Sequence, residues 1–324
     1  MAADSVLSVR DISIDFLGPR GPIHALRQVS LEVPRGSIVG IVGESGSGKS
    51  TLALAAMGLL PNNAVIKGGA ILFDGTDALA LDEKALRELR GRRLSMVFQD
   101  PMTSLNPVLS IGAQMADIQY RERALGAAEK RTRAAAMLRR VGIPDAEQRL
   151  DRYPHEFSGG MRQRIAIAMG LLGNPELLIA DEPTTALDVT LEAQIIHLLR
   201  QLRREFKASI LFISHNLGLI AELCDHIVIL YAGEVVERGT VHDIFHRPRH
   251  PYTEALLVCD PARLDAVHRE LPTIPGDVPD LLQVPRGCVF APRCPKVFER
   301  CRVERPVDRL VAGSHSARCH LVTA

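Results

Sequence analysis

The sequence is poor in aromatic residues and contains no tryptophan. Phe, Trp and Tyr together make up 4% of its 324 residues, so we do not expect the stacking surfaces that single-stranded nucleic acids require. The net charge is only +1, and the basic residues are interspersed with acidic ones. This distribution provides no electrostatic footprint for DNA or RNA, and we expect no nucleic-acid partner.

Long apolar runs are missing as well. The most apolar stretch, residues 165–180, is interrupted by the segment Gly173–Glu176, whereas a membrane-spanning helix needs about 20 apolar residues. The N-terminal segment MAADSVLSVRD has an early acidic residue and no apolar centre, so we do not expect a secretory signal. The six cysteines are then expected in a reducing compartment, where grouped cysteines bind metal more often than they form disulfides.

The elements that can be recognised alternate between strands and helices. Residues 6–16 and 24–33 alternate in period two and predict two strands. A β-branched run, a glycine loop and an apolar helical segment follow, which is the order of an α/β layer. The later segments repeat this alternation and predict a mostly parallel sheet with helices packed on it. The predicted strands are Ile38–Val42, Leu177–Ala180, Ile210–Ser214 and Ile227–Tyr231, and the predicted helices include Lys49–Leu60 and Leu191–Phe206.

Two regions depart from this alternation. The stretch from about Gln114 to Arg152 is rich in Arg and Ala, has helical periodicity and lacks strand signals, so we interpret it as a helical insertion. After about His250, proline becomes frequent and four cysteines appear. We therefore predict a separate small module at the C-terminal end, which agrees with a length typical of about two domains.

Residues 43–51 read GESGSGKST and match the phosphate-loop pattern G-x-x-x-x-G-K-[ST]. Glycines allow backbone N–H groups to turn inward around phosphate oxygens, and the following helix presents its N-terminus to the same phosphates. The alternative is a purely structural glycine turn, but the position between a strand and a helix favours the phosphate site. Lys49 is expected on the β- and γ-phosphates and Ser50 on Mg²⁺. The predicted nucleotide-binding residues here are Gly43, Glu44, Ser45, Gly46, Ser47, Gly48, Lys49, Ser50 and Thr51.

A second acidic motif, LLIADEP, occupies residues 177–183. An apolar strand there delivers Asp181 and Glu182 to its C-terminal end, where α/β sheets bind ligands. Asp181 suits the Mg²⁺ shell, and Glu182, on the opposite side of the strand, suits activation of the attacking water. Two acidic residues after a strand are more often a helix cap. Because this chain also carries a phosphate loop, we prefer the catalytic interpretation of Asp181 and Glu182 over the helix cap.

These two motifs are shared by kinases, GTPases and helicases, and a third string distinguishes among them. FSGGMRQR, residues 157–164, resembles the LSGGQ signature of ABC ATPases. The resemblance extends over about the first 245 residues. Gln99 in VFQDP matches the Q-loop, Ala186-Leu187-Asp188 matches the D-loop, and His215 in ISHN matches the switch histidine. Phe16 lies where the family places an aromatic residue against adenine, although a lone Phe in a strand is more often a core residue.

This resemblance implies an α/β fold of the P-loop NTPase class. Residues 1–250 are expected to form the ABC nucleotide-binding domain, with a RecA-like core, a mostly parallel sheet, an antiparallel N-terminal β subdomain and a helical subdomain at about residues 100–165. Residues 251–324 are expected to form a small Cys/Pro-rich C-terminal domain.

The resemblance also implies a division of labour in ATP hydrolysis. Two ATP-binding subunits close head to tail, and each ATP lies between one phosphate loop and the signature of the partner. Ser158, Gly159 and Gly160 then act in trans on the γ-phosphate, and Asp188 belongs to the same nucleotide set. The implied catalytic residues are Glu182, His215, Gln99 and Lys49, and the implied Mg²⁺ ligands are Ser50, Gln99 and Asp181. Met161 replaces the signature Gln, and Asn216 stands where Asp is more usual; neither change removes a catalytic atom.

Three further segments are similar to the ATPase subunits of bacterial dipeptide/oligopeptide permeases: QDPMTSLNP (99–107), RPRHPYTEALL (247–257) and IPGDVPD…GCVFAPRCP (274–295). The implied partners are a second, paralogous ATPase, two transmembrane permease subunits and an extracytoplasmic substrate-binding protein. The implied location is the cytoplasmic face of the inner membrane. The same family also carries nickel chelates, glutathione and modified peptides, so peptide is the preferred substrate and these remain alternatives.

Four cysteines of the C-terminal module, Cys288, Cys294, Cys301 and Cys319, are spaced C-x₅-C-x₆-C-x₁₇-C and lack the C-x₂-C of most zinc fingers. Four thiolates suit structural Zn²⁺ or a [4Fe–4S] cluster. Resemblance to the permease ATPases favours the cluster, and a metal-free module of buried thiols is the remaining alternative. His315 and His320 are possible substitute ligands but more typical of surface residues. Cys224 and Cys259 are expected to be core thiols.

Two other classes of function remain open. One is a soluble ABC ATPase of DNA repair or translation, but such proteins carry long coiled-coil insertions or tandem ATPase halves, and this chain has neither. The other is a regulatory module that binds ATP without hydrolysing it. The presence of Glu182 and His215 favours an enzyme.

Overall fold

The computed structural model of the chain describes residues 4–100, 104–185, 187–260 and 272–322. They fall into two units, the first made of Met1–Ala80 and Phe212–Ala324 and the second of Leu81–Leu211. The strands are β1 (Ser5–Gly18), β2 (Gly21–Pro34), β3 (Ile38–Val42), β4 (Ala64–Phe73), β5 (Thr76–Asp77), β6 (Leu94–Val97), β7 (Leu177–Asp181), β8 (Ser209–Ile213), β9 (His226–Tyr231), β10 (Glu234–Thr240), β11 (Arg309–Ala312) and β12 (His315–Ala317).

The helices of the described ranges have eight residues or fewer, apart from three longer ones in the second unit. They are α1 (Lys49–Ala56), α2 (Glu83–Leu89), α3 (Ile111–Ile118), α4 (Ala127–Arg140), α5 (Ala146–Arg149), α6 (Gly159–Leu171), α7 (Val189–Phe206), α8 (Leu217–Leu223), α9 (Val241–His246), α10 (Pro251–Val258) and α11 (Glu299–Val303). Within the part of the chain that the structure describes, no helix combines the length and the apolar character needed to cross a bilayer.

An antiparallel sheet in the order β2-β1-β4-β5 forms the N-terminal part of the first unit. Strands β1 and β2 join through a two-residue turn, with Gly18 opposite Gly21. Both strands are 14 residues long and carry register shifts. Asp11 and Gln28, at φ 46° and 49°, lie at these irregularities and let the long strands bend. The sheet confirms the predicted antiparallel β subdomain, although β4 was not predicted.

A mixed set of strands forms the rest of the first unit. Strand β3, with the sequence IVGIV, is buried along its whole length and runs parallel to β9, as expected for a continuous apolar strand covered on both faces. Beyond it, β9–β10, β10–β12 and β12–β11 pair in antiparallel fashion. The C-terminal hairpin β11–β12 is therefore connected through β10 and β9 to β3, the strand that precedes the phosphate loop.

Glu237 anchors this hairpin from β10. Its carboxylate is fully buried and accepts hydrogen bonds from the backbone N–H groups of Arg249 (2.7 Å) and His250 (2.9 Å). The ring Nε2 of His315 lies 2.7 Å from the same carboxylate and is also buried. A buried carboxylate needs such partners, so this residue ties β12 and the start of α10 to β10.

The second unit contains parallel strands β6 and β7 and the three long helices α4, α6 and α7. Asp188 begins α7 by accepting a hydrogen bond from the N–H of Leu191, and a stripe of buried residues follows at helical spacing: Ile195, Ile196, Leu198, Leu199 and Leu202. Helices α3 to α6 fill residues 111–171, which agrees with the predicted helical insertion. The two parallel strand pairs and the antiparallel N-terminal sheet confirm the predicted fold class.

The largest difference from a predicted strand or helix boundary is at the end of the first helix. Helix α1 ends at Ala56 rather than at Leu60, because Gly58 adopts a positive φ of 64° and stops the helix.

Candidate nucleotide-binding site

The phosphate loop runs from the end of β3 into α1. A Cβ atom added at Gly43 would lie 2.0 Å from the backbone oxygen of Leu230, which cannot move aside. Gly48, at φ 102°, is the first residue before α1 and offers no side-chain cap. The helix N-terminus thus keeps its amide N–H groups directed at a ligand, as an anion site requires.

Lys49 lies at the start of α1 and is only 6% exposed. Its ammonium group donates hydrogen bonds to the backbone oxygens of Gly43 (2.8 Å) and Glu44 (3.1 Å). The lysine therefore folds over the loop and holds its positive charge at the loop's centre. Ser45, Gly46 and Ser50 are exposed around it.

Glu44 makes contacts that the sequence analysis missed. Its N–H donates to the hydroxyl of Tyr252 at 3.0 Å, and both of its carboxylate oxygens lie 3.0 Å from Nη1 of Arg293. Arg293 also contacts the hydroxyl of Tyr231. Burial lowers the pKa of Arg293, but its hydrogen bonds to Tyr231 and Glu44 outweigh burial and leave that pKa raised. The segments PYTEALL and APRCP carry these partners, but their spacing gave no sign of a contact with the loop.

Glu182 and Gln99, both predicted to be catalytic, lie together in the second unit. The amide Nε2 of Gln99 donates to Glu182 Oε2 at 3.0 Å, and the hydroxyl of Thr185 donates to the same oxygen at 2.8 Å. Glu182 adopts a positive φ of 46°, an uncommon conformation that costs a non-glycine residue about 1 kcal/mol or more. Asp181, the last residue of β7, is 5% exposed. Thr185 is a further residue of the site that the sequence analysis missed.

His215 and Phe16, predicted to be the switch histidine and the residue against adenine, both lie in the first unit. His215 is exposed two residues after the end of β8, and Asn216 is the N-terminal cap of α8. The side-chain oxygen of Asn216 accepts hydrogen bonds from the N–H groups of Gly218 and Leu219. An amide oxygen caps a helix as well as a carboxylate does, which explains why Asn is accepted here. Phe16 is half-buried on β1, opposite Ile23.

The signature residues occupy the start of α6. The hydroxyl of Ser158 accepts a hydrogen bond from the N–H of Met161 at 3.4 Å, and Ser158 and Gly159 are both exposed. Gly160 is buried, and a Cβ atom there would lie 3.0 Å from Leu191. The start of α6 therefore exposes Ser158 and Gly159, whereas Gly160 is packed against α7. Ala186 of the predicted D-loop and residues 101–103 of the segment QDPMTSLNP lie outside the described residues.

The four C-terminal cysteines line one small cavity, together with His250, Phe290, Lys296 and His320. Burial raises the pKa of Cys288 to about 12, and burial also raises the pKa of Cys294 and of Cys319. In the described ranges, however, no three side chains of His, Cys, Asp or Glu are placed so as to hold a metal ion. The predicted iron–sulfur or zinc site at Cys288, Cys294, Cys301 and Cys319 is therefore not supported by their geometry.

The histidines beside these cysteines have other partners. His315 was expected at the surface but is buried against Glu237, so that expectation is wrong. His320 Nε2 bonds the backbone oxygen of Glu304 at 2.9 Å. Cys224 and Cys259, expected to be core thiols, are half-buried.

Comparison with known proteins agrees with this geometry. Residues 26–185 match the family described as ABC transporter, and residues 236–301 match the family described as oligopeptide/dipeptide transporter, C-terminal region. The oligopeptide transport ATP-binding protein OppD of Salmonella typhimurium is 47% identical over 311 residues, covering 96% of this chain and 92% of OppD. The dipeptide transport ATP-binding protein DppD of Bacillus subtilis is 45% identical over 319 residues, covering 98% and 95%.

Solved structures show the same fold. The dimeric ATP-binding cassette MJ0796, in a post-hydrolysis state with ADP and Pi, superimposes with a TM-score of 0.65 at 28% identity, covering 72% of this chain and 98% of that one. Fold and motifs together define an ATPase of the ABC type. Because both the ATPase region and the C-terminal region match, the chain belongs to the family of ATP-binding subunits of oligopeptide/dipeptide ABC transporters.

Proposed function

We propose that this chain hydrolyses ATP to drive the import of di- or oligopeptides through a membrane permease. The observation that carries the proposal is 47% identity over 96% of the chain to an oligopeptide transport ATP-binding protein, together with the match of the C-terminal region. This relative aligns with the C-terminal region as well as with the ATPase core. Nickel chelates, glutathione and modified peptides are the alternative cargoes.

ATP is proposed to bind with its phosphates in the loop of residues 43–51 and its adenine against Phe16. The ammonium group of Lys49 then exchanges the loop carbonyls for phosphate oxygens, which is favourable because the phosphates carry full negative charge. Ser50, Gln99 and Asp181 supply oxygen ligands of the kind Mg²⁺ prefers. The cation neutralises charge on the phosphates when bound.

Glu182 is proposed to accept the proton of the attacking water. The hydrogen bonds from Gln99 and Thr185 hold its carboxylate in one orientation, and an oriented carboxylate suits general-base catalysis. His215 is proposed to contact the γ-phosphate from the loop after β8. These assignments make Glu182 the residue on which hydrolysis, rather than binding, depends.

Hydrolysis is proposed to require a pair of ATPase subunits. Ser158, Gly159 and Gly160 then complete the partner's ATP site with a hydroxyl and helix-start amides, and Asp188 begins the neighbouring helix α7. The dimeric form of MJ0796 with ADP and Pi supports this arrangement. A paralogous ATPase is the proposed partner, with two permease subunits and an extracytoplasmic binding protein completing the transporter at the cytoplasmic face of the inner membrane. We also propose residues 1–250 as the ATPase domain and 251–324 as the C-terminal domain.

Replacing Glu182 with glutamine tests the proposed chemistry. In the transporter purified with its membrane subunits, E182Q is expected to lower ATP hydrolysis by a factor of about 100 or more, the range of a general base, while ATP remains bound. The matched control is E205Q, which makes the same change at an exposed position of α7 and should leave hydrolysis unchanged. Hydrolysis by E182Q at the rate of the unmodified transporter would contradict the assignment.

Peptide import is tested separately, in proteoliposomes that contain the complete transporter and its binding protein. Uptake of a radiolabelled tripeptide should depend on ATP and stop in E182Q. ATP-dependent uptake of a nickel chelate, without peptide uptake, would replace the proposed cargo.

The cysteine cavity is proposed to hold a [4Fe–4S] cluster, with zinc as the alternative. The described side chains do not form a metal-binding group as they stand, so the support is that the four thiols line one cavity in a cysteine-rich sequence. A cluster would stabilise a C-terminal region with few large apolar residues. A cysteine thiol must lose its proton before it binds a metal. The raised pKa of Cys288 therefore opposes metal binding unless the binding free energy compensates for it. Anaerobic reconstitution of the full chain, followed by absorption spectroscopy and metal analysis, tests this. One zinc per chain, or no metal, would refute the cluster.

A further inference from the structure

Arg293 connects the C-terminal region to the phosphate loop across 249 residues of sequence. Its side chain is only 5% exposed. Nη1 contacts both carboxylate oxygens of Glu44 at 3.0 Å, and Nε and Nη2 donate to the backbone oxygens of Pro275 (3.1 Å) and Ile274 (3.0 Å). A planar guanidinium that uses all three nitrogens in this way is held in one orientation.

The partner of Arg293 is part of the loop itself. Glu44 follows Gly43, and its backbone oxygen receives the Lys49 ammonium group. Glu44 is also held at its backbone N–H by Tyr252 and at its carboxylate by Arg293. Both partners come after His215, the last ATPase motif in the sequence.

The surroundings make this contact rigid. Tyr231 and Tyr252 are fully buried, with ring centroids 4.5 Å apart, and each packs against Phe290 at 5.3 Å. Phe290 precedes the short turn Ala291–Arg293, and Arg293, its last residue, leads directly to Cys294. Loop, aromatic cluster and cysteine cavity are therefore joined by consecutive packed residues.

We propose that Arg293 is a positioning residue for ATP binding, and that through Glu44 it couples the conformation of the cysteine module, residues 288–301, to that of the phosphate loop. The proposal rests on the nucleotide-binding role proposed for residues 43–51, and it does not depend on the transported substrate. Because coupling free energies are reciprocal, bound nucleotide should stabilise the native conformation of the module by the same free energy by which that conformation favours nucleotide binding.

Nucleotide affinity of the full-length chain is the first measurement. Titration with Mg²⁺-ADP should give a Kd about tenfold higher in R293M than in the unmodified chain. R293K should also bind more weakly, because an ammonium group cannot replace the three-nitrogen fork. E44Q removes the same ion pair from the loop side. The double variant R293M/E44Q should bind no more weakly than the weaker single variant, because both changes break one interaction.

R300M provides the matched control. Arg300 lies in the same module but pairs only at the surface with Glu304, where both side chains are about half exposed, and its loss should leave the Kd unchanged. If R293M is too unstable to titrate, the Kd values of R293K and E44Q test the proposal instead. An unmodified chain that itself fails to bind Mg²⁺-ADP would refute the nucleotide site, which distinguishes that failure from failure of the coupling.

Hydrogen–deuterium exchange gives a result that a merely structural arginine would not produce. In the unmodified chain, Mg²⁺-ADP should slow exchange both in the loop, residues 43–49, and in the module, residues 288–301. In R293M and E44Q, saturating nucleotide should slow exchange in the loop alone. Unchanged Kd values, strictly additive effects of the two substitutions, or protection of the module that survives in both variants would each overturn the proposal.

Discussion

Replacing Glu237 with alanine should test how firmly the C-terminal hairpin is held. The substitution removes an acceptor shared by three donors: the N–H groups of Arg249 and His250 and the ring of His315. Arg249 is exposed, so water can replace the bond to its N–H. His250 and His315 are 1% and 2% exposed, so their donors are left buried without an acceptor.

Each buried donor that loses its acceptor costs about 1–3 kcal/mol, so E237A should lose roughly 2–6 kcal/mol of unfolding free energy. At about 2–4 °C per kcal/mol for units of this size, the melting temperature should fall by at least about 4 °C. Urea unfolding followed by circular dichroism measures the first quantity, and a thermal scan measures the second.

The control for this prediction is E254A. Glu254 pairs with Lys296 between side chains that are 38% and 49% exposed, and exposed pairs contribute about 0–1 kcal/mol. A loss below about 1 kcal/mol in E237A, equal to that of the control, would refute the claim that Glu237 anchors the hairpin.

Two further predictions concern the loop and the pH dependence of stability. G43A places a methyl group 2.0 Å from the Leu230 oxygen, and titration with Mg²⁺-ADP should show binding weakened at least tenfold, whereas G68A, in open space, should bind normally. Hydrogen bonds from Thr240 lower the pKa of Asp243 in α9, so unfolded chains take up its proton first as the pH falls. The stability that Asp243 provides is therefore fully present above its ordinary pKa of 3.8, and it is lost progressively as the pH falls from that value through the lower pKa of the folded state. D243N should be about 1 kcal/mol less stable than the unmodified chain at pH 6, and urea midpoints should show this difference shrinking towards pH 3.5; a constant difference would contradict the assignment.

Local patterns predicted much of the fold. Strands β3, β7 and β9 are continuous apolar runs, and the phosphate loop is a continuous glycine motif. Each could be recognised from its own residues, without knowledge of tertiary contacts. The end of α1 was missed because Leu59 and Leu60 continue the apolar pattern, while the conformation of Gly58 decides the boundary. Strand β4 was missed because Lys67, Gly68 and Gly69 interrupt its alternation.

The contacts of the candidate site were predicted less well than its residues. Motif order predicted Glu182 and Gln99 as site residues. The structure joins them by a hydrogen bond, and their catalytic roles stay predictions. The pairing of Glu44 with Arg293 could not be predicted, because a single glutamate and a single arginine so far apart carry no periodicity or spacing that relates them. Only the tertiary packing of Tyr231, Tyr252 and Phe290 brings those two residues together.

The separation between Glu44 and Arg293 has a consequence for synthesis of the chain. Translation at about 5–20 residues per second leaves an interval of roughly 12–50 s between the appearance of the glutamate and that of its arginine. Throughout that time the nascent chain contains a complete phosphate-loop sequence without its buried counter-charge. The contact that supports the loop is therefore completed late in synthesis, and a chain that ends between His215 and Arg293 carries every ATPase motif but lacks the residue that holds the first of them.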